Sequence, residues 1–481
     1  MKMNMVRISA WLLLLVFPVA AFATGLPDEH DPVATVILWL TIIFAFALIG
    51  RYLARRLNQP GVLGELLMGV ILGNVLYLCG SQLIVILREG SAVFSIMRSL
   101  LGGLPLSEAV NLNISNAKYA AQISVVLSSA NGIECIKVGY ILDIFSRYGV
   151  IFLLFMVGLE SSLQELRYTG KEALRVAVIG VVAPILLGFA VAYFLLPVTS
   201  YKDSLFVAAT LCATSIGITA RVLAEMKKLQ TREAKTILGA AMLDDILGLV
   251  ILAIVSSIVI NGEVDGMLIT RVIISTILFF GSILLIGPWI LRKLVLCFQF
   301  LELWEAKLFI SFIFLMALSW LATVVQLASI IGAFAAGLII NDSYFKTSNK
   351  KDQSPLIIRD LVAPLEAILA PLFFMLIGIQ VKLETFFDWQ VLLMAGGLIV
   401  AAIIGKLVSG FGADKKDDRL LIGIGMLPRG EVGLVFASIG KTLGVMSDQL
   451  FSAIILMVIV TTMIAPPMIK ARYAKKTVSV Q

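Results

Sequence analysis

Charged residues are scarce: aspartate, glutamate, lysine and arginine make up 14% of the 481 residues, where soluble domains carry about 25%. Together with a hydrophobic share of 60%, against about 45–50% in soluble domains, that scarcity excludes an ordinary soluble fold. Histidine is nearly missing as well. The single one, His30, sits in a polar stretch near the N-terminus and reads as an exposed loop residue. The four cysteines, Cys79, Cys135, Cys212 and Cys297, lack CxxC spacing and neighbouring histidines, which excludes a zinc or redox site and leaves packing as their role. No nucleophile motif or phosphate loop stands where an enzyme would need one, so neither an enzyme nor a cofactor is expected. The short alternating segments of a membrane β-barrel, roughly 10 residues each, are also missing.

What is present is a succession of apolar runs near the roughly 20-residue length that crosses a bilayer. The fold expected is all-α and polytopic, with the lipid bilayer as main solvent. About thirteen spans are predicted, centred near residues 42, 70, 154, 185, 213, 248, 280, 315, 334, 372, 400, 430 and 460. Before them, Lys2 and Arg7 precede an apolar run and Ala21-Phe22-Ala23, the pattern of a signal peptide over residues 1–24. The net charge of +7 does not point to nucleic acid, because the cations cluster between apolar runs. Arg51, Arg55 and Arg56, then Arg221, Lys227, Lys228, Arg232 and Lys235, then Lys346, Lys350, Lys351 and Arg359, each follow an odd-numbered span. The positive-inside rule puts those loops in the cytoplasm, the mature N-terminus outside, and the C-terminus with Lys470, Arg472, Lys475 and Lys476 inside. A bacterial inner membrane is the expected location. Residues 81–146 are of mixed polarity and read as an extracytoplasmic insert of short interfacial helices. No soluble domain is expected after the last span, only a cytoplasmic tail over 473–481.

Charge inside the spans is the most informative feature, because a charged side chain at the bilayer centre costs on the order of 2.5–3.5 kcal/mol or more. Asp244 and Asp245 stand side by side in the sixth span, Lys406 in the eleventh, and Pro428-Arg429-Gly430-Glu431 in the twelfth. A buried ion pair between Asp244 and Lys406 that merely locks helices is the bland alternative. Two adjacent carboxylates go beyond it: in low dielectric they repel when both ionise, and a proton, a metal cation or a basic side chain relieves the repulsion. A site that chooses between protons and a cation can exchange them. Arg429 keeps its proton and is a fixed, structural charge, whereas Lys406 can lose its own when desolvated. Oxygen ligands are the other requirement. Cys212-Ala213-Thr214-Ser215-Ile216-Gly217-Ile218-Thr219 in the fifth span, rich in small hydroxyl residues, and Pro428 with Gly430 in the twelfth are places where a helix can break. If spans one to six and eight to thirteen are repeats, these two breaks correspond, and the odd linker span inverts the repeats.

These features resemble the monovalent cation:proton antiporter-2 family, in particular its sodium/proton antiporter branch. The resemblance runs from about Val33 to Pro467 and rests on Gln59-Pro60-Gly61-Val62-Leu63-Gly64-Glu65, Leu154 to Glu160, Ala213-Thr214-Ser215, Asp244-Asp245, Gly332 to Gly337, Leu372 to Gly378, and Pro428 to Glu431. It implies two inverted repeats with crossed broken helices and a homodimer. The domains it implies are dimerisation helices one and two over 33–80, helices three to six over 147–262, and helices seven to ten over 268–381. Core helices eleven to thirteen follow over 390–472. It also implies that Asp245, with Asp244 beside it, binds the transported ion, that Asp244 pairs with Lys406, and that Thr214, Ser215 and Glu431 line the crossing and belong to the ion-binding set. Asn74 departs from the family, which often has proline there.

The expected function is therefore alternating-access exchange of a monovalent cation, sodium first, with lithium or potassium possible, for protons. It is electrogenic if Asp245 and Lys406 each carry a proton. Two rivals stand beside it. A glutathione-gated potassium/proton system would carry a C-terminal nucleotide-binding domain and a glutamine before the aspartate, and this chain has neither. A transport-inactive membrane sensor would have no need of costly intramembrane charges.

Overall fold

The computed structural model describes residues 32–57, 59–90, 92–114, 117–160, 170–195, 201–228, 231–261, 266–298, 300–325, 327–345 and 357–478. The expected signal peptide, His30, Lys346, Lys350 and Lys351 lie outside the described residues. The described residues form helices and no strand, as bilayer burial demands, since a helix satisfies its own backbone N–H and C=O groups.

In chain order the helices are α1 (Pro32–Arg56), α2 (Gly61–Leu78), α3 (Gln82–Glu89), α4 (Ala92–Leu101), α5 (Leu106–Asn113), α6 (Ala117–Leu127) and α7 (Gly132–Glu160). There follow α8 (Lys171–Leu195), α9 (Tyr201–Thr210), α10 (Ile216–Glu225), α11 (Arg232–Asn261), α12 (Gly266–Cys297), α13 (Leu303–Val324) and α14 (Ser329–Ile339). The last are α15 (Ile358–Ile379), α16 (Trp389–Ser409), α17 (Arg419–Gly425), α18 (Glu431–Thr442) and α19 (Asp448–Val478). Ten of these, α1, α2, α7, α8, α11, α12, α13, α15, α16 and α19, are long and apolar enough to cross a membrane. The other three expected positions fall on shorter elements. Near 213 and 430 the helix is broken, and near 334 α14 has only 11 residues, so length alone does not establish thirteen crossings. α7 also begins earlier than the expected boundary at 147, because exposed Lys137 and Arg147 on its surface interrupt the apolar run.

The chain forms two compact units, Met1–Ser146 with Pro371–Leu383, and Arg147–Ala370 with Glu384–Gln481. In the first, α1 and α2 approach so closely at Gly50 and Gly64 that a Cβ on either would strike the other's carbonyl. The insert helices α3 to α6 build an apolar core of their own around Ile96, Ala109, Val110 and Ile123. Beside it lies a buried polar group. Lys382 Nζ is 2.6 Å from Glu89 Oε1 and 3.4 Å from the Tyr119 ring centre. Arg88 stacks 3.9 Å over Tyr77 and donates to Asn74 Oδ1 at 3.2 Å. Asn74 donates in turn to the carbonyls of Val70 and Val381. Asn74, the departure noted in the sequence, is thus the hub that ties the end of α15 to α2.

In the second unit α8, α11 and α16 pack side by side, and α9/α10 and α17/α18 are the halves of the two broken helices. Small residues permit this packing. Gly405 of α16 rests against the Pro184 backbone of α8, where a Cβ would not fit.

Candidate functional site

The site is built where the two breaks meet. After Thr210 the chain turns and runs without regular structure through Ala213, Thr214 and Ser215 before α10 begins, and after Gly425 it turns at Met426 and stays unwound to Gly430 before α18 begins. Four bonds stitch these stretches together. Ser215 N donates to the Pro428 carbonyl at 2.8 Å, Arg429 Nη1 to the Ala213 carbonyl at 2.7 Å, Thr219 Oγ1 to the Gly425 carbonyl at 2.7 Å, and Thr214 Oγ1 to the Met426 carbonyl at 3.4 Å. Thr462 of α19 donates to the Arg429 carbonyl. The pairing explains how two interrupted helices persist in an apolar interior, because backbone groups freed by the breaks find partners instead of water. Gly430 is required here: a Cβ on it would fall 2.7 Å from Ser215 Oγ.

The charges gather beside this crossing. Lys406 Nζ lies 3.0 and 3.1 Å from Asp244 Oδ1 and Oδ2, and both residues are 0% exposed. α8 passes beside the pair: a Cβ on Gly180 would lie 3.7 Å from Lys406 Nζ and 3.8 Å from Asp244 Oδ1, ordinary contact distances. The Thr214 side chain also touches the Asp244 carboxylate, joining the pair to the first break. Asp245 is 3% exposed. As the next residue on α11 it projects about 100° away from Asp244, so the lysine's two-pronged contact belongs to Asp244. Arg429 is 0% exposed, Thr214 2% and Ser215 1%.

The structure thus joins Asp244, Lys406, Thr214, Ser215 and Arg429 in one network, with Asp245 adjacent on its helix. Glu431 is the first residue of α18, which sets its backbone at the crossing; its side chain lies outside the described residues. Thr219 was legible only as the end of the hydroxyl-rich run in the fifth span, and Thr462 was missed; the hydroxyls of both hold the crossing. The paired threonines Thr461-Thr462 within an apolar helix were the available signal.

Chemically, this arrangement brings a carboxylate held by a lysine, a second carboxylate, and the carbonyls and hydroxyls of two breaks into one buried place. The exposed ends of the half-helices add their partial charges. Hard oxygen donors beside a titratable acid suit a dehydrated monovalent cation and a proton as competitors.

Such a buried carboxylate pair at crossed, interrupted helices defines a class, the membrane ion exchanger. The family described as sodium/hydrogen exchanger, transmembrane, matches residues 42–474, and the chain belongs to it. It is 36% identical over 478 residues, 97% of this chain and 96% of the relative, to the high-affinity Na(+)/H(+) antiporter NhaS3 of Synechocystis. It is 32% identical to the Na(+)/H(+)-K(+) antiporter GerN of Bacillus cereus, over 88% of this chain and 92% of the relative. Among solved structures, the sodium proton antiporter MjNhaP1 from Methanocaldococcus jannaschii shares the fold, with a TM-score of 0.58 at 16% identity over 92% of this chain and 98% of that one.

Proposed function

We propose that this chain is a secondary active transporter that exchanges a monovalent cation, sodium first, for protons by alternating access. The observation that carries the reading is the buried Asp244–Asp245 pair, with Lys406 clamped on Asp244 beside two broken helices. Asp245 is the carboxylate for which the cation and the proton compete. Loading sodium replaces its proton, and the carbonyls and hydroxyls at the breaks stand in for the water the ion sheds. Lys406 holds the charge balance of the empty site through Asp244. If it also gives up a proton on sodium loading, two protons return for each sodium expelled and the cycle is electrogenic.

The core helices α8 to α11 and α16 to α19 are read as the part that moves, with a homodimer formed through the remaining helices. Location in a bacterial inner membrane with the C-terminus in the cytoplasm follows from the charge bias of the loops. Potassium is a second candidate cargo, because the relative GerN is named for both sodium and potassium. The test is a pH-gradient dequenching assay on purified protein in lipid vesicles with sodium, lithium and potassium compared. Cation-dependent collapse of the gradient supports exchange and ranks the cations. No response to any of the three would overturn the reading in favour of a sensor.

A further inference from the structure

The carbonyls of Gly425, Met426, Pro428 and Arg429 each accept a bond where the second helix is broken. Those of Gly425, Met426 and Pro428 are held by Thr219, Thr214 and Ser215, all from the other break. The Arg429 carbonyl is held differently, by the Thr462 hydroxyl of α19. α19 runs as one helix through the level of the breaks and packs against α10, α16, α17 and α18. A Cβ on Gly433 of α18 would lie 3.7 Å from Val458 of α19 and 4.0 Å from the Thr210 carbonyl. The middle of α19 therefore backs the first turn of α18 and the end of α9.

Thr461 and Thr462 are neighbours, both buried, and their hydroxyls do different things. The Thr461 hydroxyl donates to the Met457 and Val458 carbonyls of its own helix, at 2.8 and 3.1 Å, as threonines in helices commonly do. The Thr462 hydroxyl leaves its helix for the Arg429 carbonyl. That bond fixes the peptide between Arg429 and Gly430, with its carbonyl toward α19 and the Gly430 N–H facing the other way, as a trans peptide requires. Without the bond this peptide is the easiest in the stretch to turn, because glycine on its far side offers little steric resistance.

We propose that Thr462 is a specificity-determining residue: it keeps the Arg429 carbonyl turned to α19, outside the shell of the transported ion, and so favours sodium over the larger potassium. The inference rests on the exchange reading above. Thr462 acts through the backbone and does not itself bind the ion, which makes it a positioning residue. A carbonyl released here is one more oxygen beside the site, on backbone that can move. Selection between cations follows cavity size, ligand number and flexibility, and the larger ion gains more from an added ligand and a wider shell.

The test compares full-length wild type, Thr462→Val, Thr462→Ser and Thr461→Val in lipid vesicles, with apparent KM and maximal rate measured for sodium and for potassium at one pH. The ratio of potassium KM to sodium KM should fall about threefold to tenfold in Thr462→Val, the worth of one hydrogen bond. A wild type that moves sodium alone should give a Thr462→Val variant that moves both. Thr462→Ser keeps the donor and should keep the wild-type ratio, and so should Thr461→Val, whose hydroxyl bonds within α19. Thr462→Cys, with a weaker donor, should fall between, and it carries the test if the valine variant does not fold. A purely structural role would lower the maximal rates for both cations and leave the ratio alone. An unchanged ratio in Thr462→Val and Thr462→Cys therefore overturns the proposal, as does an equal fall in Thr462→Ser or Thr461→Val. A wild type that exchanges neither cation overturns the exchange reading first, and this inference with it.

Discussion

Among the described residues two lysines are wholly buried against carboxylates, and their settings differ in one respect that matters. Lys406 lies 3.0 Å from Asp244 and Lys382 2.6 Å from Glu89, both at 0% exposure. Each pair bears the same desolvation cost, which a buried pair recovers only with good geometry and further hydrogen bonds. The Lys382 pair is closed. The Tyr119 ring covers the ammonium, and Arg88 and Asn74 fill the neighbouring positions with bonds to side chain and backbone. It lies at helix ends, with Glu89 the last residue of α3 and Lys382 just past α15. The Lys406 pair is open by comparison. Asp244 sits well inside α11 and Lys406 in the last turn of α16, the residue after Asp244 is another carboxylate, and Thr214 joins the pair to unwound backbone. Burial of an ion pair is thus common to both places; what sets the Asp244 pair apart is a second carboxylate next to it and its contact, through Thr214, with the broken helices.

The comparison can be broken by removing one member at a time. Asp245→Asn should have the largest effect, reducing cation-driven proton movement in vesicles to that of protein-free controls, while circular dichroism and yield stay unchanged. Asp244→Asn strands Lys406 without its partner and should cost about 3–5 kcal/mol of stability. It should also weaken exchange, both visible as a lower melting temperature and a smaller dequenching signal. Glu89→Gln should destabilise less, on the order of 2 kcal/mol, because the Tyr119 ring still holds the ammonium; the apparent sodium affinity of the protein that remains folded should not change. If Glu89→Gln altered sodium affinity as Asp244→Asn does, the distinction between the two pairs would fail. The smallest effect is expected at Asp388, whose carboxylate caps α16 by accepting from Gln390 N at 2.9 Å. Asp388→Ala should cost about 1 kcal/mol, with exchange unaltered.

The buried Asp244–Lys406 pair was legible in the sequence because Asp244, Asp245 and Lys406 interrupt long apolar runs, where a charge stands out against its neighbours. The breaks were legible for a similar reason: Thr214-Ser215 and Pro428 with Gly430 punctuate spans that should otherwise be uniform. The closed pair was not. Glu89 and Lys382 are 293 residues apart, and each sits where polar residues are ordinary. Asn74 showed only as a departure from a family pattern, since its bond to Val381 spans 307 residues. The Asp414 to Asp418 turn reads as a solvated loop, and only the fold reveals that Arg175, Arg232 and Arg472 converge on it. The length of the span expected near 334 was not legible for a different reason. Apolar sequence continues before α14, but the residues flanking the helix, Ala328 and Ile340, are extended, and hydropathy does not register backbone direction.

The central claim is that sodium and protons compete for Asp245, and proton release on sodium binding tests it most directly. Sodium chloride is added to purified wild-type protein in weakly buffered detergent solution at the pH of half-maximal exchange, with a pH indicator present and choline chloride as control. The account predicts protons released by the wild type on sodium but not on choline, and none released by Asp245→Asn. Equal release from both proteins, or tight sodium binding with no release from the wild type, would contradict it.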